Sequence, residues 1–354
     1  MPLADALAAH ADVCLLLPAH ERALFDGELD RSVELVTFTK PRLRQPLRQL
    51  QLTRMLLRAI HRFEPDVVHI QQGHLWFNFG LRALRRYPLV VTVHDHTAHV
   101  GDRGGARTPQ RVMDIATRRA DRVIVHSEQL KREIVALRNL RPDRVDSIPL
   151  VVVTDARPPV GVAEEPSTIL FFGRIWPYKG LDYLIRAEPL MAAEYPDLRI
   201  VVAGEGEPLE RYRELMTSPE RYEVHNAFVS NAVRAELFAR SSVVVLPYIE
   251  ASQSAVVPIA YAFSKPVVAT SVGGLPEVVV DGVTGLVIPP RDEAALARAV
   301  NDLLADPSRR HALGAAGKRK LETELSAAAV AEATVRVYKR VLGERLGEPH
   351  SRAA

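Results

Sequence analysis

Residues Ser242 to Val279 read SVVVLPYIEASQSAVVPIAYAFSKPVVATSVGGLPEVV, and the alternation inside that stretch decides the fold class. A β-branched run ends at Pro247, a polar EASQS cluster follows, an apolar helical pattern occupies Ala255 to Phe263, and a second apolar run leads to paired glycines. Strand, polar turn, helix and strand in that order form a unit that needs a parallel sheet covered by helices. Pro258 lacks an amide N–H, which is harmless only in a first helical turn, so the helix must begin within a few residues before it. Backbone N–H groups at such a start attract anions when small polar residues, here Ser252, Gln253 and Ser254, lead into it. A capped core helix explains the apolar face but leaves the polar cluster unexplained.

Two shorter signals precede this one. FFGRIWPYKG, Phe171 to Gly180, is an apolar strand ending in Gly173 and Arg174, with Lys179 and Gly180 opening the next amphipathic helix. VVAGEGE, Val201 to Glu207, is a second strand running into a glycine-rich turn at Gly204. In all three, a strand delivers polar or basic residues to a helix start at its carboxyl end, where open α/β sheets bind phosphorylated ligands. Gly173 lets the backbone approach a ligand, Arg174 supplies a planar fork and Lys179 a point charge, a combination suited to two linked phosphates. The competing reading is two solvated surface charges. Gly204-Glu205-Gly206 lacks the third glycine of a dinucleotide fingerprint, and the first half has no such fingerprint either, which disfavours an NAD-linked enzyme.

The chain has 354 residues, 47% hydrophobic and 25% charged, enough for two domains with real cores. Cys14 is the only cysteine, so no internal disulfide can form, and it reads as a small core residue in VCLLLP. No apolar stretch approaches the ~18 residues of a membrane span, and no secretion signal is evident at the start. A cytoplasmic protein is expected. The net charge is +3, with the basic excess in the first half. That excess is modest and no recognisable module accompanies it, so nucleic acid is not an expected partner.

Apolar runs alternate with amphipathic helices along most of the chain, which predicts parallel sheets covered on both faces. First-half strands are expected at residues 13–18, 33–38, 67–71, 89–94 and 122–126, with helices at 47–63 and 75–86. In the 47–63 helix, Leu50, Leu57, Ile60 and Phe63 are expected to face inward and Arg48, Arg54, Arg58 and Arg62 outward. A proline-rich stretch after Ile148 marks the domain boundary. The expected domains are residues 1–155 and 156–345, with a frayed tail at 346–354. The opening MPLADALAAHADVCLLLP reads as the end of a helix followed by a strand. The first domain is therefore expected to lack the usual first strand of a doubly wound fold and its glycine turn.

TVHDHTAH, Thr92 to His99, sets His94 and His96 on one face of a strand end, with Asp95 between them. Such a group suits a polar active-site rim or a metal, but no cysteine or second histidine pair completes a ligand set, so no metal is expected. The basic face of the 47–63 helix could rest on anionic lipid, although the same charges also describe an ordinary solvated face.

With these motifs assembled, the chain resembles the family-four retaining glycosyltransferases, the large group 1 family with GT-B architecture. FFGR, KG, VVAGEG, KPVVATSVGGLPEVV and DGVTGLVIPP follow in family order, and EPDVVHI, PLVVTVHD and ADRVIVHSE are family-like in the first half. The resemblance implies an α/β fold of two Rossmann-like doubly wound domains facing across a cleft. It implies that Arg174 and Lys179 bind the diphosphate of a nucleotide-sugar donor and that His94 reaches the transferred sugar. It implies that the stretch from Ser252 through Gln253 and Ser254 to Ala255 offers backbone N–H groups to sugar and phosphate, and that Phe228 and Val229 lie where the base is held. Gly173, Gly204 and Glu250 complete the expected donor site.

This sequence departs from the family at its paired glutamates, whose positions fall on Ala251 and Ile259, with Glu250 displaced by one. That departure touches the ribose contacts. The expected activity is retaining sugar transfer to a hydroxyl acceptor, with no metal or separate cofactor, in bacterial surface glycan or glycoconjugate synthesis. A glycan or lipid-linked acceptor and peripheral contact with the inner face of the membrane are expected partners. The alternative is a catalytically altered GT-B relative that binds a nucleotide sugar or a partner without transfer.

Overall fold

The computed structural model describes residues 2–23, 29–42, 44–71, 77–95, 110–151 and 159–347. These residues fall into two compact units, and the division is not a single cut in the sequence. The first unit takes residues up to 151 together with those from 326 onward, and the second takes 159–325.

In the first unit the strands are β1 (Cys14–Pro18), β2 (Glu34–Phe38), β3 (Val68–Gln71), β4 (Leu89–Thr92), β5 (Arg122–Val125) and β6 (Val145–Ser147). The helices are α1 (Pro2–Leu7), α2 (Ala19–Ala23), α3 (Pro46–Phe63), α4 (Gln110–Arg119) and α5 (Glu128–Arg138). The strands from β3 to β6 pair in parallel in sequence order, and β1 pairs in parallel with β2. Among the described residues no ladder joins β1 to β3, yet Leu16 and Phe38 pack into the same apolar cluster as Val91 and Val123.

Two expectations for this unit need correcting. The buried stripe of α3 is Leu52, Leu56 and Ile60, while Leu50 is 47% exposed. Leucines occur around most of this helix, so the sequence allows more than one apolar face, and packing against the sheet selects the i, i+4, i+8 row. Of the helix expected at 75–86, the described part, residues 77–86, is instead a run of turns with a 3₁₀ turn at Gly80–Arg82. A mid-segment glycine weakens a helix by about 1 kcal/mol, and the turns still bury Leu81 and Leu84.

In the second unit the strands are β7 (Thr168–Phe172), β8 (Arg199–Ala203), β9 (Tyr222–His225), β10 (Val243–Leu246), β11 (Val267–Thr270) and β12 (Gly285–Ile288). The helices are α6 (Leu181–Ala192), α7 (Glu210–Arg213), α8 (Asn231–Arg240), α9 (Val256–Ala262), α10 (Leu275–Val278), α11 (Glu293–Ala305) and α12 (Pro307–Thr323). One parallel sheet runs in the order β12-β11-β10-β7-β8-β9. Successive residues of a strand point to opposite faces, and here both faces are covered. Ile169, Phe171, Val243 and Val245 meet Leu184 of α6 and Val300 of α11 on one side, while Leu170, Val244 and Leu246 meet Phe238 of α8 and Val257 of α9 on the other. The chain builds outward from β7 through β8 to β9, then starts again on the opposite side with β10. The switch point of the sheet therefore lies between the carboxyl ends of β7 and β10.

The last helix, α13 (Ala327–Gly347), packs with the first unit, although its place in the sequence had grouped it with residues 156–345. The physical reason lies in the first sheet, where Leu89, Val91 and Val123 are covered on one face while Val90 and Ile124 point to the other. Val330, Val337 and Val341 of α13 bury that second face. Arg122, itself buried, bonds Asp146 at 2.8 Å and Glu344 of α13 at 2.6 Å, and Arg340 reaches Asp146 at 2.6 Å.

Candidate functional site

The expected donor residues of the second unit follow the carboxyl ends of its strands, Gly173 and Glu250 to Ala255 beside the switch point, Gly204 after β8, and Phe228 and Val229 after the edge strand β9. Gly173 follows β7 with φ +117, and a Cβ at Gly204, the residue after β8, would collide with the Gly173 carbonyl. The two loops are tied by hydrogen bonds from Ile175 N to Glu205 O and from Glu207 N to Ile175 O, both 3.0 Å. Gly206 is required here as well, since its Cβ would meet the Ile175 carbonyl. The glycine-rich turn at Gly204 to Gly206 is therefore more than a tight turn. Close backbone approach between adjacent strand ends is the stricter requirement.

The loop continues into a 3₁₀ turn, Pro177–Lys179, and Gly180 takes φ +68 to start α6. That turn lies directly on the segment after β10. Ile249 N donates to Tyr178 O at 2.9 Å, and a side chain at Gly180 would strike the Pro247 carbonyl.

Two tyrosines supplied by these segments organise the cations. Arg174 Nη2 donates to the Tyr178 hydroxyl at 3.0 Å. Lys179 Nζ stands 3.7 Å from the centroid of the Tyr248 ring and 5.0 Å from that of Tyr178, and Lys179 is only 9% exposed. An ammonium over aromatic faces keeps part of its electrostatic stabilisation when water is removed. Burial pushes the Tyr248 phenol well above its ordinary range, so it stays a neutral hydroxyl, 3.2 Å from Ser254 Oγ.

The EASQS segment curls beside these rings. Ser254 Oγ accepts from Val256 N at 3.3 Å, fixing the entry to α9. That helix has seven residues, with Pro258 in its first turn as the missing N–H requires. Ser252 is 3% exposed, and its hydroxyl has no hydrogen-bond partner among the described residues. A buried hydroxyl left unsatisfied costs about 1 to 3 kcal/mol, so its retention marks a group that a ligand or an ordered water completes. The backbone around it is clamped: Gly274 N donates to Ser252 O at 3.2 Å, and Gly273, at φ +51, has no room for a Cβ against the Ala251 carbonyl. Glu250 and Gln253 are half-buried in the same segment and Ala255 is exposed. Ala251 and Ile259, the positions of the family's paired glutamates, are both buried in the apolar cluster under the sheet.

Beyond β9, Gly204 N donates to His225 O at 2.9 Å and Asn226 Nδ2 to Glu207 O at 3.1 Å, which holds the following loop at the same sheet edge. Phe228 on that loop is 78% exposed, whereas Val229 packs partly against the core.

In the first unit, His94 lies just past β4 and meets His126, just past β5. His126 Nε2 is 2.8 Å from His94 Nδ1, and His126 Nδ1 is 3.0 Å from the Ile148 carbonyl. His69 on β3 bonds Tyr338 of α13 at 2.6 Å and Thr92 at 2.7 Å. Burial, reinforced by the neighbouring histidines, holds His69 down at about 3 and His126 at about 4, and burial lowers His94 too. Sequence reasoning missed His126. The signal was the parallel between VHD and VHS, each a histidine at the carboxyl end of an adjacent strand. His96 and His99 lie outside the described residues, among which no three His, Cys, Asp or Glu side chains gather as a metal site.

Two doubly covered parallel α/β units, with cations and backbone donors at the switch point of the second, define a GT-B-type fold. Solved structures agree over nearly the whole chain. The Anabaena protein HepE in complex with UDP matches with a TM-score of 0.74, covering 96% of this chain and 95% of that one at 20% identity. Sucrose-phosphate synthase from Thermosynechococcus elongatus matches at 0.72, covering 97% and 92% at 22% identity.

Sequence comparison is more specific. The model of "Glycosyl transferases group 1" matches residues 166–306, and that of "Glycosyltransferase Family 4" matches residues 2–156. A D-inositol 3-phosphate glycosyltransferase of Kribbella flavida is 32% identical over 301 residues, 77% of this chain and 71% of that protein. Its counterpart in a Mycobacterium species, strain KMS, is 30% identical over 290 residues, 73% of this chain and 64% of that protein. The chain thus spans about two thirds of the length of these curated relatives. It belongs to the group 1, family 4 glycosyltransferases.

Proposed function

We propose that this chain moves a sugar from a nucleotide-diphosphate donor to a hydroxyl acceptor with retention at the anomeric carbon, and that Arg174 and Lys179 hold the diphosphate. The observation that carries this reading is the convergence of both cations on Tyr178, at the carboxyl end of the sheet where the segment after β10 carries a buried Ser252 hydroxyl with no hydrogen-bond partner among the described residues. In the reaction the bond from the anomeric carbon to the diphosphate oxygen breaks and the bond to the acceptor oxygen forms. The acceptor proton passes to the departing diphosphate on the same face of the sugar. Charge develops on the leaving group, and Arg174, Lys179 and the backbone N–H groups around Ser254 stabilise it there without a metal. Gly173, Gly204, Gln253 and Ala255 bring main chain to the donor, Glu250 meets its sugar, and Phe228 and Val229 flank the base. His94 contacts the transferred sugar.

The acceptor is a glycan or lipid-linked sugar in surface glycan synthesis. The relatives' names add an inositol phosphate to the polyols worth trying. No described helix is long and apolar enough to cross a membrane. Work on the cytoplasmic side, with peripheral contact through the exposed arginines of α3, suits a lipid-linked acceptor.

Burial of Ala251 and Ile259 in the core favours one second reading, a relative that binds a nucleotide sugar without transferring it. Incubation of the protein with a panel of nucleotide sugars and polyol acceptors separates the two. Release of the nucleoside diphosphate together with a retained glycoside supports transfer. Saturable donor binding with no release under any acceptor supports the second reading.

A further inference from the structure

The two histidines beyond β4 and β5 form a directional relay, and its direction can be read from a backbone atom. A carbonyl oxygen only accepts hydrogen bonds, so the 3.0 Å contact between His126 Nδ1 and Ile148 O requires the proton to sit on Nδ1. A neutral imidazole carries one proton, which leaves His126 Nε2 as an acceptor. Its partner at 2.8 Å, His94 Nδ1, must therefore donate. The remaining nitrogen of His94, Nε2, then bears a lone pair and no proton.

We infer that His126, anchored on the Ile148 carbonyl, is a positioning residue that locks His94 in the Nδ1–H tautomer, so that Nε2 of His94 accepts a hydrogen bond from a hydroxyl group of the sugar substrate. This rests on the reading above that His94 contacts the transferred sugar. It goes beyond that reading by fixing which nitrogen is used, in which state, and which partner chemistry it tolerates. A lone pair at Nε2 welcomes a hydroxyl donor and repels a phosphate or carboxylate oxygen. Without the relay, histidine in water favours the opposite tautomer, in which Nε2 carries the proton.

The surroundings keep the pair neutral. Among the described residues, the titratable groups acting on it are His69 on β3, which is itself bonded to Thr92 and Tyr338, and Asp95 beside His94. Burial outweighs Asp95 at both rings. A proton on His126 would reverse the donor and acceptor roles and break the relay.

The test is nitrogen-15 NMR of the histidine side chains in the full-length protein, paired with transfer kinetics. In the wild type, His94 is expected to show a protonated Nδ1 and an unprotonated Nε2. His126→Leu removes the acceptor, and His94 should move toward the Nε2–H form. Transfer should then fall about 10- to 100-fold in kcat, as when an outer partner that fixes a histidine's tautomer is lost, with KM for the donor changed less. His126→Gln, which can still accept from His94 Nδ1, should restore most of the rate and the tautomer, separating positioning from loss of folding. The double variant His94→Ala/His126→Leu should be no slower than His94→Ala alone.

A wild-type His94 with its proton on Nε2, or one whose tautomer is unmoved by His126→Leu, overturns the inference at the relay. A His126→Leu protein that switches tautomer yet transfers at the wild-type rate overturns the sugar-contact reading beneath it.

Discussion

Lys179 Nζ rests 3.7 Å from the centroid of the Tyr248 ring, with Lys179 almost wholly buried at the end of its 3₁₀ turn. An ammonium held over an aromatic face keeps part of its electrostatic stabilisation when water is removed, so the ring of Tyr248 supports the charge that the proposed function directs at a diphosphate. On that proposal the aromatic face of Tyr248 serves donor binding, while its hydroxyl holds Ser254. Tyr248→Phe is expected to cost about 1 kcal/mol of stability through the lost bond to Ser254, with nucleoside diphosphate affinity within about twofold of wild type. Tyr248→Leu should weaken that affinity severalfold beyond its effect on folding. Calorimetric titration beside thermal melts reads both.

Ser252 presents a trade-off between stability and binding. Its buried hydroxyl has no hydrogen-bond partner among the described residues, so Ser252→Ala should leave the free protein as stable as wild type or up to ~1 kcal/mol more stable. The donor should bind more weakly. Melting temperatures with and without a nucleotide sugar test this: the variant should start equal or higher and gain less from the ligand.

Two glycines with similar backbone angles should respond differently to alanine. Gly273, φ +51, is jammed against the Ala251 carbonyl, whereas Gly282, φ +69, has open space where a Cβ would go. Gly282→Ala should cost about 1 kcal/mol, the intrinsic penalty of the left-handed region. Gly273→Ala should cost about 3 kcal/mol and displace the segment carrying Ser252. Urea denaturation should rank them in that order, with donor affinity lost only at Gly273.

The buried histidines set an acid limit on stability. Their folded-state values, about 4 for His126 and about 3 for His69, lie below the ordinary 6.5. As pH falls, the unfolded chain takes up protons first, so their contribution is complete above pH 6.5 and is lost as pH drops from there toward 4 and below. Unfolding free energy measured from pH 7.5 to 5 should fall, and His126→Gln should make that slope shallower.

Much of this arrangement was legible in the sequence because it is local. Gly173-Arg174 and Lys179-Gly180 announce themselves by their places at a strand end and a helix start, and Pro258 fixes the start of α9 to within a few residues. What the sequence concealed is non-local. Nothing in PYKG reveals that Tyr248, nearly seventy residues on, will lie beneath Lys179, because that pairing follows from β10 lying beside β7. The return of α13 to the first unit was hidden for the same reason: its apolar stripe states that it must be buried, but not against which sheet. The buried row of α3 failed on degeneracy, since Leu47, Leu50, Leu52, Leu56 and Leu57 offer more than one amphipathic face.

The central claim is that Arg174 and Lys179 recognise a diphosphate, and the most direct measurement is calorimetric titration of nucleoside diphosphates against the matching monophosphates. For the base that binds, the wild type should prefer the diphosphate by about tenfold or more, and Arg174→Met and Lys179→Met should each abolish most of that preference while leaving monophosphate affinity nearly intact. Diphosphate affinity undiminished in both variants would contradict the account.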